Sequence, residues 1–164
     1  MTQLILKNSN LFKVALYEPD IPQNTAAIMR LCACFGARLE IIEPCGFLLE
    51  NKKFKRVVMD YRNKCNLKLF KNFSDFKDNK KKERIILMTT KAKNKYFDFK
   101  FKKNDTLLFG RESAGVPSSI RETINHQLVI PIKKNTRSLN IVTSVAIALS
   151  EALRQNLNTK KNGN

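Results

Sequence analysis

Residues Leu107–Pro117 read LLFGRESAGVP, an apolar run that ends in two glycines and a proline. Gly110 and Gly115 are two of only five glycines in the chain. Glycines directly after an apolar run predict a strand entering a loop that turns sharply or whose backbone approaches a ligand closely. An ordinary turn between two elements would also account for them.

A second apolar run ends at Ile130-Pro131-Ile132, and a short basic loop leads from it to Arg137-Ser138-Leu139-Asn140. The carboxyl ends of parallel strands lie at one edge of a sheet, where ligands bind in a crevice between the loops. The two runs therefore predict a pocket of backbone groups near Met88, Gly110 and residues 130–139. Common nucleotide signatures are absent, because Val116-Pro117 stands where a phosphate loop requires Lys-Ser/Thr.

Apolar runs alternate with helical patterns along the whole chain, which predicts an α/β fold with a mostly parallel sheet and helices on both faces. The predicted strands are 11–17, 38–42, 67–70, 84–90, 106–109 and 127–132. Helices are predicted from residue 24 or 25 to 35, at 74–82 and 118–124, and from about 138, whereas 51–61 is a short basic helix or a loop. We expect residues 1–156 to form a single domain and residues 157–164 a disordered polar tail.

The first predicted helix has Asn24 or Thr25 as its N-cap and Gly36 as its end. Its apolar stripe consists of Ile28, Leu31, Cys32 and Phe35. Arg30 points away from this stripe and is flanked by the small residues Ala26 and Ala33. Such a face could pack on a partner and present a guanidinium, or Arg30 could be a solvated surface residue.

The charge balance is strongly positive: 31 Lys and Arg against 14 Asp and Glu give a net charge of +17. This excess predicts a polyanionic partner such as nucleic acid, although a compositional drift towards lysine would give the same balance. Cys32, Cys34, Cys45 and Cys65 lack the paired spacing of a zinc site, so we expect reduced thiols and no metal. The chain has no apolar run long enough to span a membrane and no secretion segment, which predicts a cytoplasmic protein without a membrane partner.

Residues 91–103 carry aromatic side chains among lysines. This pattern can stack bases between phosphate contacts, but a loop pinned to the core by its aromatic rings is the favoured interpretation. His126 is the only histidine and lies outside every motif, so a role as catalytic base is not favoured.

Three motifs carry a resemblance to a known family. They are LFGxExxGVP at 108–117, IPIxxxxRSLNIxxSVA at 130–146, and Asn24-Thr25 with Arg30 near the start. Together they resemble the SpoU branch of the knotted SPOUT RNA ribose methyltransferases. LYEPDIPQNT at 16–25 is most similar to the subgroup that methylates the tRNA wobble position. The resemblance covers roughly residues 12–156.

The resemblance implies S-adenosylmethionine as cofactor, a C-terminal trefoil knot, and a homodimer in which each pocket is completed by the neighbouring subunit. Cofactor contacts, mostly from main-chain atoms, are implied at Met88, Gly110, Ile130, Ser138 and Leu139. Glu112 and Asn140 are implied as supports that hold the loops in shape.

The implied reaction is methyl transfer to the ribose 2′-hydroxyl of cytidine or uridine 34 in the anticodon loop of tRNA. Arg30 is the implied catalytic residue. Since arginine is a poor base, it would fix a substrate phosphate or stabilise the developing alkoxide. A methyltransferase acting on another tRNA or rRNA ribose, or a non-catalytic RNA-binding protein on the same fold, stays open as an alternative.

Overall fold

The computed structural model describes residues 11–50, 52–58, 61 and 63–157, and these form an α/β fold around one sheet. Its strands are β1 (Lys13–Tyr17), β2 (Arg38–Ile42), β3 (Asn66–Phe70), β4 (Ile85–Met88), β5 (Asn94–Lys95), β6 (Thr106–Phe109) and β7 (His126–Val129). Its helices are α1 (Pro22–Phe35), α2 (Lys52–Val58), α3 (Phe73–Asp78), α4 (Ser118–Arg121) and α5 (Ile141–Leu157). The predicted fold class is confirmed.

The strands lie in the order β3-β2-β1-β6-β4-β7-β5, and each pairing between these seven strands is parallel. β6 is inserted between β1 and β4, so that Lys13 lies opposite Arg38 on one side and Thr106 on the other. All carboxyl ends consequently lie at one edge of the sheet, where the loops after β1, β4, β6 and β7 meet. The trefoil knot stays a prediction from the resemblance.

Helices cover both faces because strand residues alternate between two apolar clusters. On one face Val14, Leu16 and Leu107 pack with residues of α1 and α5, including Ile28 and Leu149. On the other face strand residues such as Ala15 and Leu108 pack with Phe76 of α3 and with Ile124 just after α4. α1 also contacts α2, whose Phe54 and Val58 belong to the first of these clusters.

The helix starts differ from those predicted. α1 begins at Pro22 rather than at Asn24 or Thr25, because proline has the backbone angle of a first helical residue and needs no N–H partner there. Gly36 ends α1 in the left-handed conformation (φ 64°), as predicted. α3 begins at Phe73 instead of residue 74, since Asn72 accepts the N-capping hydrogen bond from the Asp75 N–H at 2.9 Å.

α5 begins at Ile141 and not near Ser138, because Asn140 Oδ1 accepts a hydrogen bond from the Val142 N–H at 2.8 Å. Ser138 and Leu139 are thereby left in the preceding loop. At its other end α5 continues through Leu157, so the predicted tail is wrong at this residue. The rest of that predicted tail, 158–164, lies outside the described residues.

The amino edge of the sheet holds an ion cluster that the sequence pattern did not predict. Lys13 pairs with Glu83, and the buried Lys80 donates to Glu40 at 2.8 Å and to Glu83 at 2.9 Å. Burial alone raises the pKa of Glu83, but the hydrogen bonds from Lys13 and Lys80 outweigh it and hold the pKa below its ordinary value. The amino edge is thus tied by charge pairs, whereas the carboxyl edge is open.

The aromatic residues of the segment 91–103 anchor it, as the favoured interpretation stated. Phe101 is 3% exposed, and Phe99 packs edge-on against Phe101 with ring centroids 5.1 Å apart. Phe97 is the exception, since it is 49% exposed. Phe99 also contacts His126 edge-on, with ring centroids 5.4 Å apart.

Candidate functional site

A cleft of about 570 Å³ opens at the carboxyl edge of the sheet, and its size falls in the range of small-molecule sites. All five residues predicted to contact the cofactor line it: Met88, Gly110, Ile130, Ser138 and Leu139. The other lining residues come from the ends of β4 and β6, from the loops after β1, β4, β6 and β7, and from the starts of α1 and α5, and include Asn24, Lys91, Glu112 and Ser144.

The loop after β6 closes on itself by direct backbone contact. Arg111 and Gly115 exchange hydrogen bonds, from the Arg111 N–H at 3.2 Å and from the Gly115 N–H at 2.8 Å. A Cβ on Gly110 would lie 2.5 Å from the carbonyl carbon of Gly115, and Gly115 has φ +69°. Gly110 is therefore required by the loop's own packing, which agrees with the sharp turn predicted as one of two reasons, whereas close approach to a ligand stays a prediction.

Asn24, in the first turn of α1, connects the loop after β6 with the loop after β7. Its Nδ2 donates to Glu112 Oε1 at 3.2 Å, and its Oδ1 accepts a hydrogen bond from Asn140 Nδ2 at 3.4 Å. Glu112 Oε2 also accepts from the Asp20 N–H at 2.9 Å. Glu112 and Asn140 thus make the supporting contacts that were expected of them. The predicted capping role of Asn24 is wrong, because its amide connects the loops instead.

Asp20 also connects the loop after β1 with the loop after β6, a role that was not predicted from the sequence. Its carboxylate accepts hydrogen bonds from the Ser113 hydroxyl, from the Ser113 N–H at 3.1 Å and from Arg111 Nε at 3.3 Å. Arg111 also pairs with Glu18 at 3.3 Å. The Ser113 side-chain hydrogen bond is the main reason that the pKa of Asp20 lies below its ordinary value. An acidic residue between two prolines was the available signal in the sequence.

Arg30 lies outside the cleft of its own chain. It is exposed on α1, and its guanidinium carbon is 5.2 Å from the centroid of the Tyr61 ring. Of the two flanking alanines, Ala26 is buried inside the chain, so its predicted place on an open face is wrong. The exposed residues of α1 that lie on the side of Arg30 are Gln23, Ala27 and Cys34.

The family follows from a comparison with known proteins. Residues 11–150, most of the chain, match the SpoU rRNA Methylase family. The chain belongs to the SpoU methylase family.

Individual relatives cover nearly the full length of this SpoU methylase. The tRNA (cytidine(34)-2′-O)-methyltransferase of Beijerinckia indica is 44% identical over 144 residues, which are 87% of this chain and 90% of the relative. The protein of the same name from Escherichia coli K12 is 34% identical over 147 residues, 88% of this chain and 94% of the relative.

Solved structures share the fold of this SpoU methylase. A structure from work on the 2-OH methylation of C/U34 on tRNA superposes with a TM-score of 0.84 at 34% identity, over 89% of this chain and 96% of that one. The SpoU methyltransferase AviRb of Streptomyces viridochromogenes, in complex with AdoMet, superposes with a TM-score of 0.79 over 94% of this chain and 61% of that one. Its identity is 20%, so this likeness shows the fold alone.

The cysteines of this SpoU methylase lie away from the cleft. Burial raises the pKa of Cys45 to about 12 and that of Cys65 to about 11, which keeps both thiols protonated. In the part of the chain that the structure describes, no group of three or more His, Cys, Asp or Glu residues is arranged to hold a metal ion. None of the described helices is long and apolar enough to cross a membrane.

Proposed function

We propose that this SpoU methylase transfers a methyl group from S-adenosylmethionine to the ribose 2′-hydroxyl of the wobble nucleotide, cytidine or uridine 34, of tRNA. The observation that carries the proposal is the assembly of Met88, Gly110, Ile130, Ser138 and Leu139 around one cleft at the carboxyl edge of the sheet. Two proteins named tRNA (cytidine(34)-2′-O)-methyltransferase, which are 44% and 34% identical to this chain over most of its length, support the choice of substrate.

The chemistry of the cleft fits the cofactor. An adenine ring needs an apolar slot with backbone donors and acceptors, and Met88, Ile130 and Leu139 line the cleft beside the glycine loop. The amino-acid end of the cofactor carries a carboxylate, and Lys91 in the lining of the cleft supplies a positive charge that pairs with it. When bound, the cofactor supplies a methyl group already activated by the positive charge on sulfur.

Alignment of the 2′-hydroxyl and stabilisation of its developing negative charge are left to the protein. Arg30 supplies the positive charge, since arginine is a poor base and its guanidinium is suited to bind an anion. Arg30 lies outside the cleft of its own chain, so the site is completed by the Arg30 of a second subunit in a homodimer. Three partly exposed apolar residues at the cleft support such a contact: Ile21, Ile132 and Leu139, at 40%, 41% and 38% exposure.

The tRNA backbone is held by the positive charge of the chain, which is +17 overall. Near the cleft this charge includes Lys91 and the exposed Lys133, Lys134 and Arg137 of the loop that follows β7. A tRNA-modifying enzyme of this kind works in the cytoplasm, where its substrate is.

The test is transfer of a labelled methyl group to unmodified tRNA transcripts, followed by mapping of the methylated ribose. We expect one 2′-O-methyl group at nucleotide 34 and none in a matched tRNA with a 2′-deoxyribose there. Methylation of another tRNA or rRNA ribose would contradict the proposed substrate. Cofactor and RNA binding without transfer would contradict the proposed enzyme.

A further inference from the structure

We propose that Tyr61 is a positioning residue that orients the guanidinium of Arg30 for methyl transfer. This inference rests on the proposed function. The Arg30 guanidinium carbon lies 5.2 Å from the centroid of the Tyr61 ring, within the range of a cation–π contact. Among the described residues, the Tyr61 ring contacts the Arg30 side chain without an accompanying hydrogen bond or ion pair from a described carboxylate or carbonyl.

The type of contact matters for the chemistry. A carboxylate partner would neutralise the guanidinium and occupy its N–H donors. A ring attracts the cation through its π face and leaves the donors free for a phosphate or an alkoxide. Because a catalytic charge is effective when it is already oriented before the reaction, a ring that restricts a long flexible side chain raises the rate.

Hydrogen bonds hold the backbone of Tyr61, from which the ring projects. The Tyr61 N–H donates to the Val58 carbonyl at 2.9 Å, and the Tyr61 carbonyl accepts hydrogen bonds from the N–H groups of Lys64 at 3.0 Å and Cys65 at 2.8 Å. Val58 and Cys65 are buried, at 2% and 7% exposure. α2 contacts α1, and Tyr61 follows α2 by three residues, next to Arg30 of α1.

The same ring offers a matched control. Lys64 Nζ lies 5.9 Å from the centroid of the Tyr61 ring, so a second cation shares the platform. Lys64→Ala removes a nearby positive charge without touching the Arg30 contact. A general loss of charge at this surface is thereby separated from the loss of the ring.

The experiment compares single-turnover methyl transfer to tRNA by the wild-type protein, Tyr61→Phe, Tyr61→Leu, Lys64→Ala, Arg30→Ala and the double variant Arg30→Ala/Tyr61→Leu. Tyr61→Leu is expected to be slower by about 3- to 30-fold, the range of a cation–π contact, with unchanged cofactor affinity. Tyr61→Phe, which keeps the ring, should recover most of the rate. The double variant should be no slower than Arg30→Ala, because the ring acts through the arginine.

Four results would overturn the role. They are a wild-type rate for Tyr61→Leu, equal losses for Tyr61→Phe and Tyr61→Leu, a further loss in the double variant, and a Lys64→Ala loss as large as that of Tyr61→Leu. A further loss in the double variant would instead mean that the ring contacts RNA itself. If Tyr61→Leu does not fold, Tyr61→Met takes its place under the same criteria.

A second measurement does not depend on activity. In the wild-type protein the ring should shift the NMR signals of the Arg30 δ and ε protons upfield, and Tyr61→Met should remove the shift. Unshifted Arg30 signals would overturn the contact. If the wild-type protein transfers no methyl group to tRNA, the proposed function and this role are both overturned. If the wild-type protein is active and Tyr61→Leu has the same rate, only the role of Tyr61 is overturned.

Discussion

Asn24 and Glu112 are 88 residues apart in the chain, yet the Asn24 side-chain amide donates to the Glu112 carboxylate at 3.2 Å. Because Glu112 also accepts from the Asp20 N–H, one carboxylate holds the loop after β1 against the loop after β6. The shape of the cleft therefore depends on the Glu112 side chain, which itself lines it.

Glu112→Gln should weaken cofactor binding by about tenfold. The carboxylate accepts one hydrogen bond at each oxygen, from Asp20 and from Asn24, whereas an amide has a single oxygen. One donor is then left without a partner, at a cost of about 1–3 kcal/mol. Calorimetric titration with S-adenosylmethionine measures the effect. Glu122→Gln is the matched control, because Glu122 is exposed at the end of α4, outside the cleft. Equal affinities of the two variants would contradict the supporting role of Glu112.

Gly110→Ala should destabilise the fold more than Gly115→Ala. A Cβ at Gly110 would meet the Gly115 backbone at 2.5 Å, and such overpacking costs about 1–3 kcal/mol. A Cβ at Gly115 has no heavy atom within 4 Å, so that only its left-handed backbone, with φ +69°, adds about 1–2 kcal/mol. Denaturant unfolding of both variants measures the difference. A more stable Gly110→Ala would contradict the closed loop.

Arg30→Ala should lower methyl transfer by about a hundredfold or more, the scale of losing one preorganised charge-stabilising group. Cofactor affinity and the sedimentation of the proposed dimer should not change, because Arg30 lies outside the cleft proposed to hold the cofactor. Lysine should restore the rate only in part, since a point charge lacks the planar fork of arginine. Arg154→Ala, which removes an exposed arginine of α5, is the control and should keep its activity.

The proposed composite site makes a further outcome testable by mixing. Arg30→Ala and Gly110→Val are each expected to lose most activity, the second because its side chain would clash with the Gly115 backbone and disrupt the loop that lines the cleft, but a mixed dimer would contain one intact cleft facing one intact Arg30. We therefore expect activity to reappear after subunit exchange between the two variants. Persistent inactivity in mixed dimers, verified by differential tagging, would place Arg30 and the cleft of one site in a single subunit.

The hydrogen bonds of the Asp20 carboxylate predict that the folded state loses stability in acid. Its pKa is below the ordinary value of 3.8, mainly through the Ser113 hydrogen bond, so ionised Asp20 stabilises the folded state above that value. The contribution disappears as pH falls through the lower pKa of the folded state. Asp20→Asn should thus be less stable than wild type near neutral pH, and the gap in melting temperature should narrow below about pH 4. A gap independent of pH would contradict this assignment.

Binding of tRNA should depend steeply on salt if the net charge of +17 contacts phosphates. The logarithm of the binding constant should fall with the logarithm of salt concentration by about 0.7–0.9 per phosphate contact. Filter binding from low to high salt gives the slope. A binding constant that does not change with salt would mean that the excess of lysine reflects compositional drift and not contact with phosphates.

The loops of the cleft were predictable because each follows a short apolar strand, and the parallel sheet brings the carboxyl ends of such strands to one edge. Gly36 was predictable for a similarly local reason, since glycine readily adopts the left-handed backbone of a helix end. The contacts of Asn24 and Asp20 were not, because their partners Glu112 and Ser113 lie about ninety residues away and only the folded chain brings them together. The pairing of Lys80 with the buried Glu40 was hidden in the same way.

The place of β6 between β1 and β4 has a consequence for synthesis of the chain on the ribosome. When β1, β2 and β3 have been made, β1 still has one edge without a hydrogen-bonding partner, and β6 is made only after β4 and β5. Open strand edges are the sites where nascent chains associate wrongly. Substitutions that weaken β6 should therefore lower the yield of folded protein in cells before they change the activity of the molecules that do fold.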